Sequence, residues 1–221
     1  MIKILAINGF HDDKEPALHT ILNSFLDGAI EKGAQIKNLN LNEYSIKPCL
    51  GCFEKIDFAS KSDQCYQDDD MNRIYPELNN SDIWVFTFPY TFCGGNKDLF
   101  NFLDRFEPLL HIDNITTRNI SRGKVVVIST CSFWDEATYY PMVEQFKDFC
   151  ALYGMDFAGA LVRPDTRMLN HLSSDNEEVS GILQAARKAG AHIIEHSEIP
   201  DVLVDGIRQD LKERKQIYIH N

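Results

Sequence analysis

Basic residues are in the minority in this 221-residue chain, with 22 lysines and arginines against 33 aspartates and glutamates and a formal net charge of −11. That balance excludes the cationic footprint with which proteins hold nucleic acid or an anionic membrane surface. Long hydrophobic runs are missing too. No stretch approaches the length needed to span a bilayer, and the first residues show neither the basic head nor the apolar core of a secretory leader. A cytoplasmic protein without membrane or nucleic-acid partners is therefore expected. The six cysteines then read as reduced thiols rather than a disulfide framework. Linkers, internal repeats and low-complexity segments are also absent, so residues 1–221 are expected to form a single domain large enough to bury a substantial core.

What is present is alternation. Apolar runs of strand length at 2–8, 35–41, 82–88, 124–130 and 156–162 are separated by helical patterns, as expected for a parallel sheet with crossover helices on both faces. Between the first two runs Leu18, Ile21, Leu22, Phe25, Leu26, Ala29 and Ile30 recur at helical spacing, with Pro16 suited to the first turn and Gly33 to the stop. Further helices are predicted over 69–79, 96–110, 136–153, 177–195 and 201–214, the last within a helical segment at 201–221. The fold class is α/β, a flavodoxin-like three-layer sandwich with five parallel strands in order 2-1-3-4-5. Ligands in such sheets lie beyond the carboxyl ends of the strands, here a crevice built from 8–18, 88–95 and 130–135. Residues 42–68 form one long irregular stretch, of a length that is more often functional than idle.

The first strand runs into Asn8-Gly9-Phe10-His11-Asp12-Asp13-Lys14-Glu15-Pro16, where an α/β protein commonly holds a phosphate on backbone N–H groups and the positive end of the next helix. The acids compete for that field. A carboxylate about 4 Å from one phosphate charge repels it by roughly 1 kcal/mol in bulk water and about 4 kcal/mol at an effective dielectric near 20. Either the acids point to solvent and the main chain holds the anion, or one of them caps the helix in its place. After the third strand, Phe88-Pro89-Tyr90-Thr91-Phe92-Cys93-Gly94-Gly95 is shaped for a flat ligand. Proline fixes the exit angle, the aromatics give apolar walls, and the glycine pair lets a ring come close. A plain strand-to-helix turn is the alternative.

The run Pro89 to Arg105, PYTFCGGNKDLFNFLDR, resembles the isoalloxazine-contacting turn and following helix of the NADPH-dependent FMN reductase and multimeric flavodoxin family. Lys47-Pro48-Cys49-Leu50-Gly51-Cys52-Phe53, Cys65 and Asp69-Asp70-Met71 resemble the same family, including its iron–sulfur branch. So do Ala6-Ile7-Asn8-Gly9 and Ser129-Thr130-Cys131-Ser132-Phe133, the latter followed by Gln145-Phe146-Lys147 and Cys150. The resemblance implies FMN at the switch point and a hydride from NADPH or NADH. Asn8, Gly9, Phe10 and His11 would meet the phosphate. The turn at Pro89, Tyr90, Thr91, Phe92 and Gly94 would hold one edge of the ring, and Thr130, Cys131 and Phe133 would border the other. It also implies a homodimer or homotetramer with 42–68 at the contact. The chain departs from the family at Phe10, Asp12 and Ala17-Leu18, where phosphate-binding Ser, Arg and Asn-Thr are usual, and at Thr91 and Cys93, where Tyr and Gly are.

Cys49, Cys52 and Cys65 give C-x2-C-x12-C, one ligand short of a cluster or a structural zinc. The iron–sulfur branch has another cysteine where this chain has Lys55, and no histidine lies in 42–70, so no metal is expected; a redox dithiol and plain packing remain open. Asp104-Arg105 reads as an exposed or intrahelical pair. Tyr139 and Tyr140 read as packing residues or the wall of a substrate pocket, and Arg163 and Arg167 as cations that could meet an anionic cofactor. The expected function is an FMN-dependent NAD(P)H oxidoreductase passing electrons to a small acceptor, in which the flavin does the chemistry and no side chain acts as acid or base. The alternative is a flavin-free binding or interaction protein that has lost the phosphate site.

Overall fold

The computed structural model describes residues 1–11, 14–52, 65, 67–91, 97–106, 109, 123–132, 135–166, 169, 176–196 and 198–211. Five strands, β1 (Lys3–Asn8), β2 (Gln35–Asn40), β3 (Ile83–Tyr90), β4 (Lys124–Cys131) and β5 (Asp156–Pro164), pair in parallel in the order β2-β1-β3-β4-β5. The expected flavodoxin-like topology is the observed one. Among the described residues six α-helices accompany it: α1 (Pro16–Glu31), α2 (Met71–Asn79), α3 (Lys97–Leu103), α4 (Glu136–Tyr153), α5 (Glu177–Glu195) and α6 (Asp201–Arg208). None is long and apolar enough to cross a membrane.

The central strands are apolar at nearly every position because both of their faces are covered. Ile4, Ala6, Val85, Val126 and Ile128 pack on one side with α1 and α5. Leu5, Ile7, Phe86, Phe88 and Val127 pack on the other with α2, α3 and α4. Helices α1 and α5 touch backbone to backbone: a Cβ on Gly28 would overlap the carbonyl of Arg187, and one on Gly190 the carbonyl of Phe25. Helix ends follow local chemistry. Pro16 starts α1 and Gly33, at φ +85°, lets the chain leave it. Asp135 accepts from the Ala137 amide at the start of α4, and Gly154 closes that helix in the left-handed conformation. Asn176 caps α5.

Two helices are shorter than their sequence patterns. The helix expected over 96–110 stops at Leu103, where Arg105 and Phe106 turn inward and become fully buried. The helix expected over 201–214 stops at Arg208. Arg163, buried at the end of β5, donates from Nη1 to the carbonyls of Ile207 (3.0 Å) and Gln209 (2.7 Å) and so fastens the end of α6. The cation considered for an anionic cofactor is a helix-terminating group instead.

Candidate functional site

The parallel register assembles the carboxyl ends of β1, β3 and β4 into one edge. Asn8 lies beside Thr87, Pro89 beside Thr130, and Tyr90 beside Cys131. Six of the residues singled out in the sequence (Asn8, Gly9, Pro89, Tyr90, Thr130 and Cys131) are thus neighbours, on strands about 4.8 Å apart. Phe92, Gly94 and Phe133, like Asp12, Asp13, Cys93, Trp134 and Arg167, lie outside the described residues.

Asn8 is buried and donates from Nδ2 to Asn40 Oδ1 at 2.9 Å, and Asn40 passes the chain on to Glu43 Oε1 at 2.9 Å. Gly9 donates its amide to the Thr87 carbonyl at 2.8 Å and so continues the ladder. Phe10 turns into the core, its ring 6.4 Å from that of His19. His11 is exposed, with its Nδ1 2.9 Å from the Asn42 amide nitrogen. Its carbonyl takes the amides of Lys14 (2.9 Å) and Glu15 (3.2 Å). Pro16 brings no amide. What α1 offers an anion is the N–H pair of Ala17 and Leu18, for which no main-chain acceptor is found among the described residues. Glu15, at the N-cap position, makes no capping bond, and burial raises its carboxyl above the usual range.

On the ring side, Pro89 and Tyr90 are half-buried and Thr91 is exposed, while Thr130 and Cys131 are buried. Thr166 donates to the Cys131 carbonyl at 3.2 Å, and Ser129 Oγ to the Phe88 carbonyl at 2.7 Å, which pins the β3–β4 ends together. Two buried polar atoms at the base of the crevice have no partner among the described residues, Asn8 Oδ1 and Thr87 Oγ1. Buried polar groups of this kind ordinarily have one. Thr87 was not singled out in the sequence, since a threonine inside a β-branched and aromatic run carries no signal of its own.

A buried ion pair braces the crevice from the α2–α3 side. Arg105 Nη1 donates to Asp69 Oδ2 at 2.7 Å and to the Lys47 carbonyl at 2.8 Å, and Nη2 to Asp69 Oδ1 at 3.1 Å. Asp69 also accepts the amides of Lys47 and Met71, each at 3.0 Å. Burial works against both charges, yet the bonds between them and the two amides hold Asp69 below the usual carboxylate range and Arg105 above its ordinary value. The expected surface pair Asp104-Arg105 is thereby corrected: Arg105 reaches across the fold, because its own carbonyl is held by the buried Tyr75 hydroxyl at 2.7 Å and its head lies inside.

Cys49, Cys52 and Cys65 are half-buried free thiols, and Cys49 Sγ accepts the Gly51 amide at 3.4 Å. Among the described residues no three histidine, cysteine or acidic side chains are arranged to hold a metal. Cys131 and Cys150 are buried, and burial pushes the Cys150 thiol up to about 12. His192 and His196 stack ring on ring at 4.0 Å at the end of α5, far along the helix from the crevice, and His111 and His171 lie outside the described residues.

The model of the NADPH-dependent FMN reductase family matches residues 2–161. The chain belongs to that family. Membership brings FMN as cofactor and NAD(P)H as reductant. Comparison with curated proteins finds no match. Among solved structures the chain is similar to an NAD(P)H:quinone oxidoreductase from Methanothermobacter marburgensis, at 14% identity over 87% of this chain and 98% of that one, with a TM-score of 0.60. It is also similar to an FMN-dependent NADH-azoreductase from Bacillus anthracis str. Ames Ancestor in complex with FMN, at 16% identity over 88% and 98% of the two chains, with a TM-score of 0.56. At such identities these likenesses speak for the fold alone. The crevice fits the family's cofactor. Two polar atoms orphaned among the described residues lie at its base, main-chain groups of β3 and β4 end beside each other, and α1 begins with the amides of Ala17 and Leu18. The family's side-chain phosphate ligands are what this loop lacks.

Proposed function

We propose that the protein is an FMN-dependent NAD(P)H oxidoreductase that passes electrons to a small acceptor of the quinone type. The observation that carries this reading is the side-by-side placement of Pro89–Tyr90 and Thr130–Cys131 at the carboxyl edge, next to the orphaned Asn8 and Thr87. Bound FMN would supply the two-electron chemistry between a nicotinamide and the acceptor. The residues bind and orient. The main chain of Pro89 to Thr91 would hold one edge of the ring, and Thr130 and Cys131 the other. The Ala17 and Leu18 amides, with the positive end of α1 behind them, hold the phosphate in place of the missing arginine. Asn8 and Thr87 would hold polar atoms of the cofactor at the crevice floor. The functional unit is a homodimer or homotetramer, to be checked by sedimentation.

A flavin-free interaction protein on the same frame is the second reading, favoured by Phe10 in the core and by the half-buried carboxyl of Glu15 at the phosphate end of α1. The visible spectrum during titration with FMN separates the two. The first reading expects a perturbed flavin band and saturable binding, strengthened in Asp12→Arg; a colourless protein with no measurable FMN affinity overturns it.

A further inference from the structure

At the carboxyl edge one row of side chains crosses three strands. Asn40 of β2 lies beside Asn8 of β1, and Asn8 beside Thr87 of β3. Neighbours in such a row point to the same face of the sheet. Ala6 and Val85, one pleat back along β1 and β3, pack in the core with α1, so the row also points to the α1 side, under the segment that leads to Ala17 and Leu18. Beyond Asn40 a short 3-10 turn, Leu41–Glu43, brings the Glu43 carboxylate back onto the Asn40 side chain.

Glu43 sets the direction of every hydrogen bond in this row. A carboxylate accepts and does not donate, whereas an asparagine amide can be turned either way. Asn40 therefore gives Nδ2 to Glu43 and keeps Oδ1 for its other neighbour, and Asn8 gives Nδ2 to that oxygen, both bonds at 2.9 Å. Asn8 is left with Oδ1 on the β3 side of its amide. That oxygen and Thr87 Oγ1 are the two buried atoms at the crevice floor without a partner among the described residues. Their chemistry selects a hydroxyl. One O–H group can give its proton to Asn8 Oδ1 and take the proton of Thr87, which satisfies both. With the Asn8 amide turned over, two N–H groups and the Thr87 proton would crowd the same oxygen, and at least one buried donor would be left over. A phosphate or carbonyl oxygen has no proton to give and finds no partner in Asn8 Oδ1.

We propose that Glu43 is a positioning residue for the cofactor: through Asn40 it holds Asn8 with its oxygen toward Thr87, where the two bind a hydroxyl of the FMN ribityl chain. This role rests on the oxidoreductase reading and adds to it a contact between the phosphate end and the ring. Asn8 stands just before the segment leading to α1, and Thr87 just before Pro89 and Tyr90, so the row lies between the two ends of the crevice. Glu43 acts through two amides and need not touch the cofactor.

The test is flavin binding by the full-length protein, followed by quenching of flavin fluorescence, with two probes. One is FMN, and the other is the analogue in which a phosphorylated pentyl chain without hydroxyls replaces the ribityl phosphate. The wild type is expected to prefer FMN at least about fivefold, the worth of one hydrogen bond. Glu43→Gln can present either atom, frees Asn40 to turn and is expected to lose most of that preference, although removal of a negative charge by itself favours both anionic probes. Adding Asn40→Asp to Glu43→Gln places an acceptor-only carboxylate directly beside Asn8, returns the net charge to that of the wild type and is expected to restore the preference. Melting curves of the flavin-free variants verify that each is folded. Equal affinity of the wild type for the two probes overturns the hydroxyl contact. A preference unchanged in Glu43→Gln, or lost there and not restored by Asn40→Asp in a folded protein, overturns the role of Glu43 and leaves the oxidoreductase reading standing. A wild type that binds neither probe sinks that reading and the contact built on it.

Discussion

Arg105 and Asp69, separated by 36 residues, form a two-bond ion pair whose side chains are 0% and 1% exposed. It ties the segment around Lys47, the start of α2 and the turn after α3 to one point, behind the strand end that carries Pro89 and Tyr90. Removing one partner leaves the other charge buried and alone, at a cost of about 3–5 kcal/mol. Arg105→Met is therefore expected to lower unfolding free energy by that order in urea titrations. Asp69→Asn combined with Arg105→Met is expected to recover much of the loss, and a double mutant as unstable as the single one would contradict the pairing.

The same pair sets an acid limit. Asp69 titrates below the usual carboxylate range in the fold, so its contribution is fully present above about pH 4, the unfolded carboxylate value, and is lost as pH falls through the lower folded value. The melting-temperature gap between wild type and Asp69→Asn is expected to stay constant from neutral pH down to about 5 and to narrow below it. A gap independent of pH down to 2 would rule this out.

Glu15 behaves in the opposite sense. Burial raises its carboxyl in the fold, so folding favours the protonated form and the ionised side chain is a liability at neutral pH. Glu15→Gln is expected to stabilise the protein at pH 7, with the advantage fading as pH falls through the raised value. On the oxidoreductase reading it is also expected to tighten FMN binding in spectral titration, because a negative charge leaves the end of α1 proposed to hold the phosphate. Unchanged FMN affinity would place Glu15 away from the anion.

Thr87 Oγ1 is buried without a partner among the described residues, so Thr87→Val is expected to be neutral or stabilising by up to about 1 kcal/mol when no cofactor is added. If the hydroxyl serves the cofactor, the same substitution weakens FMN binding about fivefold to tenfold, the loss of one hydrogen bond. Calorimetry of the two states checks both halves.

Gly190→Ala is expected to cost about 1–3 kcal/mol or more, since the added methyl overlaps the Phe25 carbonyl and pushes α1 from α5. Denaturant unfolding measures it, and a neutral outcome would mean that the two helices slide apart freely.

The sheet and its order were legible because β1, β3 and β4 are apolar at nearly every position and the intervening helices keep a 3.6-residue period. The helix after Gly94-Gly95 was overextended because Phe106 continues the apolar stripe of Leu99, Phe102 and Leu103, although the chain has already left α3. Arg105 and Arg163 were misplaced for a common reason. Their partners, Asp69 and the carbonyls of Ile207 and Gln209, are distant in sequence, and nothing local distinguishes a buried guanidinium from an exposed one. The crevice itself was read from its strand ends; the contact of Arg208 with Tyr139 was not, because the two come together only when α6 folds back on the sheet.

That folding back separates two kinds of unit. The match to the family model ends at residue 161, yet two residues later Arg163 reaches from β5 to the last carbonyls of α6. The family-model match and the folding unit thus draw different borders on this chain. The part matched by the family model does not contain all the bonds that end its own outer strand, and the amides of β5 and α6 should open to solvent exchange together, as one event.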